Sequence, residues 1–116
     1  MKRAETARQM RKIAEFRDVL IQEGHLTLAA QAAALGLGRS TTWAVLRANH
    51  KASGLSASII VRMLKAPHLP SSVREKVVEY LEEKRAGSYG HNKRQIERFA
   101  AGLSLPLGGP SLRQRE

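Results

Sequence analysis

The stretch LAAQAAALGLGRSTTWAVLR, Leu28–Arg47, decides how this chain folds. It reads as two short helices joined by Gly36-Leu37-Gly38. The first covers Leu28–Leu35; the second opens at Arg39 or Ser40 and runs to about Ala48. Two helices that cross steeply need a small residue at their contact, a glycine at the turn and apolar anchors into a core. Ala32, Gly36 and the set Leu35, Leu37, Val45 and Leu46 supply these in turn. Thr27 stands where an N-cap is needed, because its hydroxyl can accept from a free backbone N–H of the first turn.

Outward from this core the helical period continues. Ala4–Glu23 forms a leading helix with Met10, Ile13, Phe16, Leu20 and Ile21 as its apolar stripe, stopped by Gly24. Residues 49–54 form a loop. Ser56 caps a fourth helix that turns Ile59, Ile60, Met63 and Leu64 inward and ends before Pro67. Pro70 precedes a fifth, in which Ser72 and Glu75 have capping-box spacing. Its apolar face is Val73, Val77, Tyr80 and Leu81, and its outer face is Lys76, Glu79, Glu82, Glu83 and Lys84. After a break at 86–90, Asn92–Ala101 forms a last helix with Ile96 and Phe99 as apolar points. From Gly102 onward Pro106, Gly108, Gly109 and Pro110 predict a flexible tail. The expected fold is all-α: a compact bundle of five to six helices containing a helix-turn-helix, one domain over residues 1–101 with its motif at about 27–47, and a tail over 102–116. Only 4% of residues are aromatic, whereas Ala, Leu, Arg, Lys and Glu dominate, which favours helix over strand.

Charge distribution narrows the partner. The chain carries +10 at neutral pH, and Gly24–Arg74 contains no Asp or Glu. Arg39, Arg47, Lys51, Arg62, Lys65 and Arg74 make this acid-free middle the electropositive part, which attracts polyanions. Cysteine is absent, excluding a disulfide framework and thiolate metal sites. The four histidines lie far apart, without metal-ligand spacing. No phosphate loop opens from a strand, and the acid-poor middle offers nothing to hold Mg²⁺, so neither catalysis nor a cofactor is expected. No apolar run is long enough to span a membrane. Met1–Glu5 shows no signal-peptide pattern, which makes the cytoplasm the expected location.

The motif resembles the phage repressor and Cro-type helix-turn-helix family, and it is similar to the headpiece of lac-type repressors, whose later helix Leu69–Gly87 resembles. The likeness covers about Thr27–Lys65 well and Pro70–Arg85 loosely, with Met1–Glu23 compatible as a leading helix, and does not cover the C-terminal quarter. The resemblance implies binding to double-stranded DNA with the second motif helix in the major groove. It carries base reading to Arg39, Ser40 and Thr41, with Ala44 and Arg47 further along the same face. The chemistry agrees: arginine donates two hydrogen bonds to guanine O6 and N7, serine and threonine contact bases or phosphates, and alanine meets a thymine methyl. Thr27, Lys51, Ser53 and Ser56 are the expected phosphate contacts, the last three at a loop that leads into a helix N-terminus. Two positions depart from the family pattern. Thr42 stands where a buried aliphatic is preferred, and its hydroxyl is expected to bond a carbonyl one turn back. Leu28 stands where a polar, phosphate-contacting residue is frequent. Trp43 is expected to be partly buried, with its indole N–H at a polar edge.

Sequence-specific duplex binding by a small bacterial or mobile-element transcriptional regulator is therefore the leading expectation. Charge-driven RNA or non-specific binding, or a protein adaptor using the C-terminal helices, are the alternatives. One motif spans few base pairs, so a homodimer is expected; Val73–Leu81 or Ile96–Phe99 either supplies its face or completes the core. Arg8, Arg11 and Lys12, and Lys93, Arg94 and Arg98, form two further basic groups.

Overall fold

Six α-helices and no strands make up the described residues, 2–47 and 54–107, of the computed structural model. Helix α1 spans Lys2–Gln22, α2 Leu28–Leu35, α3 Arg39–Leu46, α4 Ala57–Lys65, α5 Ser71–Arg85 and α6 Lys93–Leu107. Most boundaries follow from local chemistry. Gly24 ends α1 at φ +94, and the N–H of His25 returns to the carbonyl of Leu20 at 2.9 Å. The Thr27 hydroxyl accepts from the N–H of Ala30 at 3.1 Å to open α2, and that of Ser56 accepts from Ile59 at 3.3 Å to open α4. Asn92 and Gln95 cap α6 reciprocally: each backbone N–H donates to the other's side-chain oxygen, at 2.9 and 2.8 Å.

The connection between α2 and α3 is tight for a physical reason. Gly36 adopts a left-handed conformation at φ +69, and a Cβ placed on it would stand 2.7 Å from the Cβ of Ala66, just past α4. The turn is thus pressed against the end of another helix. Ala32 and Leu35 of α2, Leu37 of the turn, and Val45 and Leu46 of α3 are all buried. Leu35, Leu37, Val45 and Leu46 join a single core with Ile13, Phe16 and Leu20 of α1, Ile60 and Met63 of α4, Val73, Val77 and Tyr80 of α5, and Phe99 and Leu103 of α6. Met10 and Ile21, assigned to the apolar stripe of α1, are instead 41% and 40% exposed.

Helices α1 and α5 are also joined by charge. The Lys12 ammonium lies 2.9 Å from Glu79, 3.4 Å from Glu15 and 3.6 Å from Glu83, and Lys76 bridges Glu15 and Glu79 at 3.3 and 3.5 Å. Burial opposes the charge on Lys12, but the three carboxylates outweigh it and raise its pKa above the ordinary lysine value. The Glu79 carboxyl is lowered in turn, chiefly by its hydrogen bond from Lys12.

Four further expectations change. The spacing of Ser72 and Glu75 does not produce a cap: α5 starts at Ser71 after Pro70, so Ser72 sits inside the first turn and donates to Glu23 at 2.6 Å. Lys84 belongs to the interior, not the outer face of α5. The hydroxyl of Thr42 is buried without a hydrogen-bond partner, although its backbone N–H reaches the carbonyl of Gly38 at 2.9 Å. Finally, α6 continues over 102–107, where the sequence predicts a tail. Gly102 acts there as a packing residue, since a Cβ on it would meet that of Ala57 at 2.8 Å, and Leu103 one turn after Phe99 is buried. Residues 108–116 lie outside the described residues.

Two measurements check these contacts. Gly24→Ala introduces only left-handed backbone strain, with open space around the new methyl, and should cost about 1 kcal/mol in urea unfolding. Gly36→Ala adds the collision with Ala66 and should cost clearly more, roughly 2–3 kcal/mol; equal costs would refute the turn packing. Thr42→Val keeps the branched shape and removes the orphan hydroxyl, so it should stabilise the fold by about 1 kcal/mol, whereas a loss would show that the hydroxyl is satisfied.

Candidate nucleic-acid interface

Helix α3 divides cleanly into two faces. At 3.6 residues per turn, Arg39, Trp43, Arg47, Ser40 and Ala44 fall within an arc of about 140°, and all five are exposed. The opposite arc holds Thr42, Val45 and Leu46, which are buried. Thr41 lies between the two faces and is half-buried, set apart from the other base-reading candidates. The apolar side of the helix therefore fixes the polar side against solvent.

Trp43 is the residue that sequence reasoning placed least well. The residue is 47% exposed and stands in the middle of this face, with the Arg47 guanidinium 5.3 Å from its ring centroid. The available signal was its wheel position, three residues after Ser40 and four before Arg47. Two shallow clefts meet at the ring. One, of about 490 Å³, is lined by Leu28, Arg39, Ser40 and Trp43. The other, of about 260 Å³, includes Arg17, Ile21, Leu26, Trp43 and Arg47. Leu28, at the start of α2, is half-buried and lines both.

The expected phosphate contacts are only partly brought together. Thr27 is exposed beside Leu28, with its hydroxyl oxygen engaged as the α2 cap. Lys51 and Ser53 lie outside the described residues. Ser56 is exposed at the start of α4 and lines a different concavity, with Lys84, His91 and Arg98 among its neighbours. Of the basic group on α1, Lys12 is engaged with the carboxylates of α5's flank, and Arg8 donates to the carbonyl of Ser88 at 2.9 Å. Both cations act in fastening α1 to the rest of the fold.

A buried polar chain holds the segment that leads into α4. The Tyr80 hydroxyl donates to Gln9 Oε1 at 2.7 Å and accepts from the N–H of Leu55 at 2.8 Å. The Lys84 ammonium donates to the carbonyl of Leu55 at 2.6 Å. Gly54 has φ +68, and a Cβ there would collide with the Gln9 amide and the Tyr80 hydroxyl. Two side chains of α5 thus clamp both backbone groups of Leu55, and Gln9 of α1 holds the Tyr80 hydroxyl from behind. Comparison with protein-family models, curated proteins and solved structures finds no significant match to this chain.

Burial lowers the Lys84 pKa to about 8, although the rings of Phe99, at 4.4 Å, and Tyr80, at 5.8 Å, face its charge. The unfolded chain keeps this lysine near 10.5. Below about pH 8 both states carry the proton and the folded state bears the desolvation cost. Between about 8 and 10.5 the folded state releases a proton that the unfolded state retains, so this contribution to stability rises with pH. Tyr80 and Tyr89 are both raised by burial and oppose the trend only above their ordinary value of 10. The stability difference between the wild type and Lys84→Met should therefore move in favour of the wild type from pH 8 to 10 in urea titrations. A flat or falling difference would contradict a desolvated ammonium.

Proposed function

We propose that α2, the Gly36–Gly38 turn and α3 form a helix-turn-helix, and that the chain binds double-stranded DNA sequence-specifically as a cytoplasmic transcriptional regulator. The observation that carries this reading is the exposed face of α3. Arg39, Ser40, Ala44 and Arg47 stand together on it, backed by buried Thr42, Val45 and Leu46, inside a stretch that has no acidic residue from Gly24 to Arg74. A helix that presents two guanidiniums, a hydroxyl and a small side chain on one rigid face is suited to the major groove, where guanine offers two acceptors and thymine a methyl. The turn compressed against Ala66 supports the same reading, because base recognition needs a recognition helix held at a fixed angle. Lys51 and Ser53, which follow α3 in sequence, are assigned the adjacent phosphates.

The structure bears on assembly as well. Val73, Val77, Tyr80 and Phe99, the heart of the two stripes offered as a dimer face, are consumed in the core of one chain. A symmetric pair on two half-sites would use another surface. The exposed Trp43 ring favours one competing reading, stacking on an unpaired base of single-stranded nucleic acid. Competition between duplex and single strand of the same sequence separates the two readings.

Selection from a random duplex pool should return a short consensus bound far more tightly than random DNA. Arg39→Ala should relax the preference at one base position and cost roughly 1–3 kcal/mol on the consensus. Lys51→Ala should weaken all duplexes alike and make binding less sensitive to salt. A pool that yields no consensus, or single strands that outcompete the duplex, would overturn the reading.

A further inference from the structure

The cleft between the starts of α2 and α3 combines two kinds of surface. Arg39 and Ser40 bring hydrogen-bond donors, while Leu28 and Trp43 bring an apolar wall, in a space of about 490 Å³. No acidic residue lines it. The apolar wall is unexpected on a surface otherwise suited to a polyanion, since neither an aromatic ring nor a leucine side chain gains anything against a phosphate. The core does not claim the ring either: Trp43 is 47% exposed, and the buried side of α3 is complete without it. Arg47, over the ring at 5.3 Å, holds it on the side away from Arg39, which follows from its place one turn later on the helix.

In the major groove, one apolar group differs between bases and projects far enough to meet a side chain. It is the C5 methyl of a pyrimidine, carried by thymine or by 5-methylcytosine. We infer that the Leu28–Trp43 wall is a reading site for a 5-methylpyrimidine, placed so that Arg39 in the same cleft donates to a guanine at a neighbouring step. Leu28 then has a recognition role at a position where a polar phosphate contact would otherwise be expected. The inference rests on the duplex-binding reading and adds to it a chemical preference that the arginines alone would not impose.

The test uses the full chain and the duplex consensus selected above. Each thymine is replaced in turn by deoxyuridine, which removes the methyl and keeps the pairing. Each cytosine is replaced in turn by 5-methylcytosine, which adds the methyl. Loss of about fourfold in affinity at one thymine, the worth of one buried methyl-sized group, identifies thymine as the source. A similar gain at one cytosine identifies 5-methylcytosine. In either case the effect should vanish in Trp43→Ala and shrink in Leu28→Gln, while Trp43→Phe retains it. Circular dichroism of each variant checks that the helices persist, and the exposed position of Trp43 leaves the core intact in its variants. Methyl effects that all survive in folded Trp43→Ala, or no methyl effect at any position, overturn the inference and leave duplex binding standing. A chain that binds no duplex overturns both.

Discussion

The hydroxyl of Tyr80 is the point at which three separate parts of the chain are tied together. It gives its proton to Gln9 of α1, accepts one from the backbone of Leu55, and shares that residue with the ammonium of Lys84 one turn further along α5. All three side chains are buried, so each hydrogen bond is made where water cannot replace it. The close fit extends to the backbone, because Gly54 must pass between Gln9 and Tyr80 with no room for a side chain. The start of α4 is set by this clamp, and the end of α4 in turn presses Ala66 onto Gly36. The angle between α2 and α3 therefore depends on a tyrosine that touches neither helix's exposed face.

Charge is partitioned by the same architecture. The carboxylates of Glu15, Glu79 and Glu83 converge on Lys12, two of them also on Lys76, and Glu23 is engaged by Ser72. These acids stabilise the contact of α1 with α5, and the basic residues of α1 that meet them lose their long-range influence. The acid-free helices α2 to α4 are left to set the potential on their own side of the molecule. The positive charge of that side then acts undiluted by acids, with no single dominant cluster of lysines.

Much of this was legible in the sequence, because caps and stops are local. Thr27, Gly24, Gly36 and Ser56 act through bonds spanning a few residues, and each does what its type and position suggest. The misreadings have a common cause in tertiary contact. Lys84 falls next to the charged edge of α5 on a helical wheel, and only the approach of Leu55 and Phe99 makes it interior. Gln9 has no apolar character to mark it as a core residue; the Tyr80 hydroxyl gives it a partner. Gly102 looks like a helix breaker until Ala57 is seen against it. In the candidate interface the family resemblance pointed to Arg39, Ser40, Ala44 and Arg47, and all four are exposed on α3. The direction of Trp43 could not be read, because an aromatic between apolar and basic neighbours fits either side of the helix boundary.

The exposure of Trp43 has an optical consequence. It is the chain's only tryptophan, and its ring stands at the surface beside a guanidinium, whereas Tyr80 and Tyr89 lie buried in the core 5.2 Å apart. Indole emission therefore reports the solvent and partners of one face of α3, while tyrosine absorbance and near-ultraviolet dichroism report the packing of the interior. The molecule carries two spectrally distinct reporters, one for its surface and one for its fold. Loss of tertiary structure and occupation of the α3 face can be followed separately in the same unlabelled sample.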